Sequence, residues 1–266
     1  MEAVIVIPAR YASSRFPGKP LAMILGKSLL ERTWRIAKAV KGVDEVYIAT
    51  EDERIVEHAT SFGAKTQITS STCTNGTERI LDALKRLALK PQIIINLQGD
   101  AVLTPPHSIE ALLDALKKKR EVGFATLAVK LSEEQYEELR LKKANSSASG
   151  TLVTFDRTGK ALYFSKSIIP YVRHQSNGKR AQGGPPVYRH IGLYAYRYDV
   201  LARYVNLEPT PLEVCEGLEQ LRALENGIPI QVVEVDYKGR THWSVDSPED
   251  AKMAEQIILR EGELLV

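Results

Sequence analysis

Short apolar runs rich in β-branched residues alternate along this chain with segments of helical periodicity. The runs are typical of buried strands and cover residues 4–7, 45–50, 65–69, 92–97 and 122–129. Between them, the segments 28–40, 52–62, 78–89 and 108–119 place apolar residues three and four positions apart. Strands and helices in alternation with short connections predict an α/β fold with a doubly wound, mostly parallel sheet.

The second half of the chain is less regular. A charged amphipathic helix is predicted at 132–143, strands at 151–155, 188–196 and 230–235, and a final helix at 249–261. The small-residue segment 144–150 is either a mobile loop or a hinge, and the polar run 173–184 is interpreted as a flexible excursion. We therefore expect one domain over 1–266, in which 144–210 form a smaller mixed subdomain.

Composition narrows the function classes. The chain has 266 residues, 44% of them hydrophobic, enough for one large α/β domain with an appended subdomain. A net charge of +3 with both signs interspersed argues against a nucleic-acid partner. Two cysteines, Cys73 and Cys215, lie in no metal-binding spacing and indicate a reducing compartment. The sequence starts directly with a strand and shows no membrane-spanning run, so we expect a cytoplasmic protein with no membrane partner.

The loop after the first strand carries the strongest chemical signal. Three cations, Arg10, Arg15 and Lys19, follow the strand, together with the small residues 12–14 and Gly18. Guanidinium forks, an ammonium and accessible backbone N–H groups are what binds a triphosphate. An ordinary basic surface loop after an edge strand would have the same composition. Its position favours a site, because ligands of open α/β sheets bind at the carboxyl ends of strands.

Two further segments fall at predicted strand ends. Residues 74–79 place hydroxyls, an amide and a glycine before a helix, which suits either a plain helix cap or a contact to base edges and phosphates. Gln98-Gly99-Asp100 follows the clearest buried strand. An aspartate there is often only a turn former. Paired with the basic loop, Asp100 is instead a candidate ligand for Mg²⁺, which is commonly held by one or two carboxylates and substrate phosphates.

Residues 7–21 read I-P-A-R-Y-A-S-S-R-F-P-G-K-P-L and resemble the signature of the cytidylyltransferases that make CMP-Kdo, the CMP-activated form of a 3-deoxy-octulosonic acid. The resemblance runs nearly end to end, through the H-x-G-x-Y-x-Y pattern at 190–196 and the V-D-S-P-E-D pattern at 245–250. It implies a Rossmann-like sheet of the nucleotidyltransferase type, with CTP and a sugar acid as substrates and Mg²⁺ as cofactor. It also implies a homodimer, with 144–210 contributing to the sugar site and the subunit contact.

The resemblance assigns roles to individual residues. Catalysis falls to Arg10, Arg15, Lys19 and Asp100, and Mg²⁺ to Asp100 and Asp246. Nucleotide contacts are implied for Pro8, Ala9, Arg10, Ser14, Arg15, Lys19, Asn75, Gly76, Thr77, Arg79 and Gln98. Acceptor contacts are implied for Lys166, His190, Tyr194, Glu219 and Gln220. On a continuous helix, Glu216 would lie one turn from Glu219 and Gln220 and extend this row of acceptors.

Departures from the family pattern fall mainly on the acceptor side. Ala101 and Val102 replace a polar residue and a proline, Leu152 falls where a lysine is expected, and Lys166 replaces an arginine. A point charge in place of a bidentate fork is not a conservative exchange. We therefore expect a 2-keto-3-deoxy sugar acid as acceptor, with Kdo and its relatives both open. Sequence drift without functional effect is the alternative.

Other classes of protein remain as rivals. An acceptor of another kind, a sialic-type acid or a phosphonate, would use the same nucleotide site. A nicotinamide-dependent dehydrogenase is disfavoured because no G-x-G-x-x-G follows the first strand. A non-catalytic nucleotide-binding protein could share the sheet, but it would not need both Asp100 and Asp246.

Overall fold

The computed structural model describes residues 1–12, 15–145, 150–172 and 186–265, and within them alternating strands and helices. The strands are β1 Ala3–Pro8, β2 Met23–Ile24, β3 Lys27–Ser28, β4 Glu45–Thr50, β5 Lys65–Ile68, β6 Ile93–Asn96, β7 Phe124–Lys130, β8 Leu152–Phe155, β9 Ala161–Ser165, β10 Tyr188–Tyr196 and β11 Gln231–Glu234. The helices are α1 Leu29–Ala39, α2 Glu53–Ser61, α3 Gly76–Arg86, α4 Pro106–Lys118, α5 Glu133–Asn145, α6 Tyr198–Val205, α7 Pro211–Glu216, α8 Gln220–Glu225 and α9 Pro248–Glu261.

One large sheet organises the described residues. Its order is β11-β7-β10-β6-β1-β4-β5, with β8 joined to β10 and β9 joined to β8. Strands β6, β1, β4 and β5 run parallel, so their carboxyl ends lie along one edge. The α/β fold with a doubly wound, mostly parallel sheet is therefore confirmed. The one antiparallel strand in the middle is β10, which pairs with both β6 and β7.

Strand β10 also shows how segment 144–210 joins the rest of the chain. It lies between β7 and β6 in the sheet, and its first residues, Tyr188 and Arg189, also pair with β8, which in turn pairs with β9. This segment therefore shares one sheet with the nucleotide-side strands. Its assignment to a sugar-site and dimerisation subdomain stays a prediction.

The apolar runs are continuous because helices cover both faces of the central strands. Ile5 and Ile7 face one cluster with α1, α2 and α4, while Val4 and Val6 face a second cluster with α3, α6 and α8. All four side chains are fully buried. Buried on both faces, β1 fixes where its carboxyl end, and hence the basic loop, meets the cleft.

A third apolar cluster joins the end of the chain to its beginning. Val102 and Leu103 pack there with Ile24 from β2 and with Val245, and helix α9 closes the cluster. A fourth cluster buries Leu152 completely against Leu131, Tyr136, Leu139 and Val187. Val102 and Leu152, two of the departures from the family pattern, thus have a packing role. This supports sequence drift as their explanation.

The expected row of acceptors on one helix is wrong. Helix α7 ends at Glu216 because Gly217 takes the left-handed conformation, with φ 61°, and a new helix starts at Gln220. The Glu216 carboxylate therefore points to β9 and accepts a hydrogen bond from the Ser165 hydroxyl at 2.7 Å. Gln220 is buried on the other side of the turn.

A buried guanidinium fastens the C-terminal segment. Arg32 on α1 donates to both carboxylate oxygens of Glu263, at 2.8 and 3.2 Å, and to the carbonyl oxygens of Ile24 and Leu25. The Leu25 amide in turn donates to Glu255 on α9. Helix α9 is thereby held against the β2–β3 hairpin that follows the basic loop.

In the described part of the chain, no helix has the length and apolar content needed to cross a membrane.

The ion pair between Arg32 and Glu263 makes the stability of the folded protein depend on pH. Hydrogen bonds from Arg32 lower the pKa of the Glu263 carboxyl below its ordinary value. A lowered folded-state pKa contributes stability that is present above the unfolded value and lost as pH falls through the folded one. We predict that Glu263→Gln lowers the melting temperature at pH 7, and that the difference from the unchanged protein shrinks below about pH 5. The exposed Glu249→Gln is the control, and a difference independent of pH would contradict the assignment.

Candidate active site

A cleft of about 310 Å³ opens at the carboxyl ends of β1, β5 and β6. The predicted residues that line it are Pro8, Ala9, Arg10, Arg15, Lys19, Asn75, Gly76, Arg79, Gln98, Asp100 and Asp246. Segments far apart in sequence meet there because the parallel strands end along one edge. A larger groove of about 480 Å³ lies between α1 and the C-terminal segment, and it contains neither Asp100 nor Asp246.

At the centre of the cleft one ammonium joins two carboxylates. Lys19 Nζ donates to Asp100 Oδ2 at 2.9 Å and to the Val245 carbonyl oxygen at 2.9 Å, and lies 3.4 Å from Asp246 Oδ1. Arg15 Nη2 lies 3.2 Å from the same Asp246 oxygen. Lys19 is mostly buried at 19% side-chain exposure, whereas Arg15 is 70% exposed. The Lys19 contacts are therefore the better shielded ones, and the Arg15 contact is open to solvent screening.

Helix capping places Asp246 at the cleft. Ser247 caps α9 by accepting from the Asp250 amide, and Asp250 Oδ2 accepts from the backbone amides of Asp246 and Ser247 at 3.0 and 2.9 Å. The Val245 amide donates to the Asp100 carbonyl oxygen at 3.4 Å, and the Val245 side chain is fully buried. The Asp246 side chain takes no part in the cap and is free to face Lys19.

The carboxylates fit the donor set of a magnesium site. In the described ranges, no three His, Cys, Asp or Glu side chains are close enough to hold a metal ion. Two carboxylates do converge on a single positive charge, Lys19 Nζ. Mg²⁺ is usually held by one or two protein carboxylates together with substrate phosphates, so Asp100 and Asp246 are sufficient on the protein side.

The basic loop is held in place by the stacking of Arg54 on Tyr11, a contact that the sequence did not predict. The Arg54 guanidinium stacks 3.4 Å over the Tyr11 ring and also pairs with Asp52. Gly18 donates to the Tyr11 carbonyl oxygen at 3.0 Å and has φ 71°, and a Cβ there would lie 3.3 Å from the Tyr11 ring. Glycine is therefore required at this turn. Ser14 lies outside the described residues, so its predicted nucleotide contact stays a prediction.

The segment before α3 is a helix cap that also borders the cleft. Asn75 Oδ1 accepts from the Glu78 amide at 2.9 Å, as the cap interpretation required. A Cβ on Gly76 would lie 3.1 Å from Pro8 Cγ, so this backbone approaches β1 closely. Thr77 is buried at 2% exposure and does not line the cleft.

The Arg79 guanidinium is buried and paired with other side chains of the protein. It is 5% exposed, lies 2.6 Å from a Glu51 carboxylate oxygen and donates to Thr69 at 2.6 Å. A buried charge paired in this way supports the wall of the cleft, because removing either partner leaves the other charge uncompensated. A direct contact of Arg79 with the nucleotide stays a prediction.

The predicted acceptor residues group beside the cleft, around β10 and α8. Tyr194 Oη donates to Gln220 Oε1 at 3.3 Å, and burial raises the pKa of the Tyr194 phenol so that it stays protonated. Burial also raises the pKa of the Glu219 carboxyl, which receives a hydrogen bond from Thr77. Thr77 therefore links the nucleotide side of the site to the acceptor side.

His190 is a buried neutral imidazole. Burial lowers its pKa to about 3, with a smaller contribution from His242. Its Nε2 lies 2.9 Å from Thr126 Oγ1, and that hydroxyl also lies 2.9 Å from the Leu193 carbonyl oxygen. Because the hydroxyl has one proton to give the carbonyl, the network assigns the imidazole proton to Nε2. A contact to the acceptor would therefore use a neutral ring.

The basic side chains of Arg10, Arg15 and Lys19 and two carboxylates at one edge of the sheet define a site for polyanion chemistry. Comparison with known proteins identifies the class. The family model described as Cytidylyltransferase matches residues 4–233. A 3-deoxy-manno-octulosonate cytidylyltransferase from Maricaulis maris (strain MCS10) is 53% identical over 265 residues, covering 100% of this chain and 100% of that protein. The enzyme of the same name from Chlamydia pneumoniae is 42% identical, covering 95% and 92%.

A solved structure extends the match to three dimensions. The structure of CMP:2-keto-3-deoxy-manno-octonic acid synthetase complexed with CTP has a TM-score of 0.84 and 36% sequence identity. The match covers 98% of this chain and 100% of that one. The chain belongs to the 3-deoxy-manno-octulosonate cytidylyltransferase family of nucleotidyltransferases.

The close approach of Gly99 to β1 can be tested by substitution. A Cβ on Gly99 would lie 3.1 Å from the Pro8 carbonyl oxygen, a backbone atom with little room to move. We predict that Gly99→Ala lowers the free energy of unfolding by about 1 kcal/mol, the size of a modest overpacking effect. Gly192→Ala is the matched control, since a Cβ there meets nothing within 4 Å. Equal unfolding midpoints in urea for the two variants would show that the approach has no cost.

Proposed function

We propose that this protein transfers CMP from CTP to a 2-keto-3-deoxy sugar acid, Kdo or a close relative, and releases pyrophosphate. The observation that carries the proposal is the convergence of Asp100 and Asp246 on Lys19 beside the exposed guanidinium of Arg15. Cations suited to phosphates and carboxylates suited to Mg²⁺ thus lie within one cleft. Membership of the family and the likeness to a CTP complex support this activity.

The reaction is a substitution at the α-phosphorus of CTP. The acceptor hydroxyl oxygen forms a bond to that phosphorus while the bond to the β-phosphate oxygen breaks, and the hydroxyl proton passes to solvent. Arg10 and Arg15 would bind the triphosphate and stabilise the charge on departing pyrophosphate. Positioning of the two substrates supplies much of the remaining rate.

Asp100 and Asp246 would hold Mg²⁺, which would supply charge neutralisation at the α-phosphate. Lys19 contributes before any metal binds, because its ammonium keeps the two carboxylates from repelling each other. Its predicted phosphate contact would use the same ammonium. Nucleotide recognition would fall to the backbone at Pro8 and Ala9 and to segment 74–79.

The burial of the residues that depart from the family pattern helps to identify the acceptor. Val102 and Leu152 are core residues, whereas Lys166, itself one of the predicted acceptor residues, is exposed. Kdo is therefore the first acceptor to test, with amino-substituted octulosonates, sialic-type acids and phosphonates as the alternatives.

A homodimer and a cytoplasmic location are part of the proposal. The exposed apolar side chains of Leu162 and Tyr171 support a subunit contact, which sedimentation would measure.

The carboxylates provide the direct test. We predict that Asp100→Asn and Asp246→Asn each lower the rate of pyrophosphate release from CTP and Kdo by at least about a hundredfold, because each removes a metal ligand. Asp114→Asn, on the exposed face of α4, is the matched control. Thermal unfolding of all three variants would show that the fold is retained. Near-normal turnover of either site variant at saturating Mg²⁺ would remove that residue from the metal site.

A further inference from the structure

We propose that Lys143, which belongs to none of the family motifs quoted above, is a positioning residue for the sugar-acid acceptor. It acts with Glu216, and the two side chains bind the backbone of Lys166, Lys143 at its carbonyl oxygen and Glu216 at its amide. The inference rests on the proposed function, since Lys166 is the cation expected to meet the acceptor carboxylate.

Lys143 reaches the ends of two strands from the last turn of α5. Its Nζ donates to the Lys166 carbonyl oxygen at 2.5 Å and to the Gly150 carbonyl oxygen at 3.1 Å. Gly150 lies just before β8, and Lys166 directly follows β9. One ammonium thus ties α5 to both strands of the outer hairpin at the point where Lys166 leaves it.

Glu216 binds the backbone amide of the same residue, Lys166. Its carboxylate accepts from the Lys166 amide at 2.9 Å and from the Ser165 hydroxyl at 2.7 Å. Burial would raise the pKa of Glu216, but the hydrogen bonds from Lys166, Ser165 and Tyr163 lower it below its ordinary value. The charged form is therefore kept, and charge-assisted bonds of this kind are the stronger ones.

The clamp sets where the Lys166 ammonium lies. A Cβ on Gly217 would come within 3.0 Å of Lys166 Nζ, so the ammonium rests directly over this glycine. Glu219 and Gln220, two predicted acceptor residues, follow at once in the chain. A side chain at position 217 would displace the ammonium. With its backbone held by Lys143 and Glu216, Lys166 thus rests its ammonium on the turn that leads into Glu219 and Gln220.

Charge around Lys143 suits an anionic acceptor. Burial lowers the pKa of Lys143, and the nearby cations Arg189 and Lys166 lower it further, while Glu216 acts in the opposite direction. Leu152, where the family pattern has a lysine, pairs with Ser165 across the hairpin. The ammonium of Lys143 thus supplies a cation at the end of the β8–β9 hairpin, near position 152, where the family pattern has a lysine. The ligand chemistry that such a group recognises is a carboxylate.

The test separates acceptor binding from nucleotide binding. We would measure initial rates for Lys143→Met with Kdo varied at saturating CTP, and with CTP varied at saturating Kdo. The expected result is a rise of about tenfold in the KM for Kdo, the size of one charge-assisted hydrogen bond, with the KM for CTP changed by less than about twofold. Lys142→Met is the matched control: it removes the neighbouring charge, which pairs with Glu138 on the exposed face of α5. Its KM values should equal those of the unchanged protein.

Conservative variants guard against a purely structural effect. Lys143→Arg should restore most of the acceptor affinity, and Lys143→Gln, which keeps a donor but not the charge, should be intermediate. An unchanged KM for Kdo in Lys143→Met, a change equal to that of Lys142→Met, or equal rises in both KM values would overturn the inference. These outcomes leave the proposed function standing. Failure of the unchanged protein to transfer CMP to any sugar acid would instead overturn the proposed function, and this inference with it.

Discussion

The shared ammonium of Lys19 is the interaction on which the site depends. It joins the loop after β1, the turn after β6 and the segment before α9, which come together only through tertiary structure. Asp100 and Asp246 would repel each other at this distance without a cation between them. The Lys19 ammonium offsets that repulsion, and the Arg15 guanidinium adds a second cation beside Asp246. A metal ion would find the two carboxylates already converging.

The surrounding architecture keeps these three segments in place. Parallel strands buried on both faces fix the start of the basic loop and of the Gln98–Asp100 turn. The third apolar cluster and the Arg32–Glu263 pair fix the position of α9, whose cap delivers Asp246. Each of these supports is remote from the reacting atoms. They hold the two carboxylates to a common point with the rigidity that catalysis by positioning requires.

Local patterns in the sequence predicted most of the fold. The burial of β1, the helix cap within residues 74–79, and the strand end before Gln98 and Asp100 follow from periodicity and capping chemistry, which are short-range. The antiparallel entry of β10 could not be predicted, since strand order depends on long-range pairing.

The contacts that the sequence missed are also long-range. The stacking of Arg54 on Tyr11 and the burial of Arg79 against Glu51 each join residues from different elements. The break after Glu216 had a local signal in Gly217, but a motif match led us to expect one continuous helix. A glycine in the left-handed region ended it, and the side chain of Glu216 turned to another strand.

The central claim is that this cleft moves the α-phosphate of CTP onto a sugar acid. The most direct measurement supplies CTP labelled at the α-phosphorus together with Kdo and Mg²⁺, and follows the label and pyrophosphate by chromatography. The account predicts that the label appears in a CMP-sugar in equal amount to pyrophosphate, and that chelation of Mg²⁺ abolishes the transfer. Label that remained in CTP with Kdo and with every other sugar acid tried, or that was released as free CMP, would contradict it.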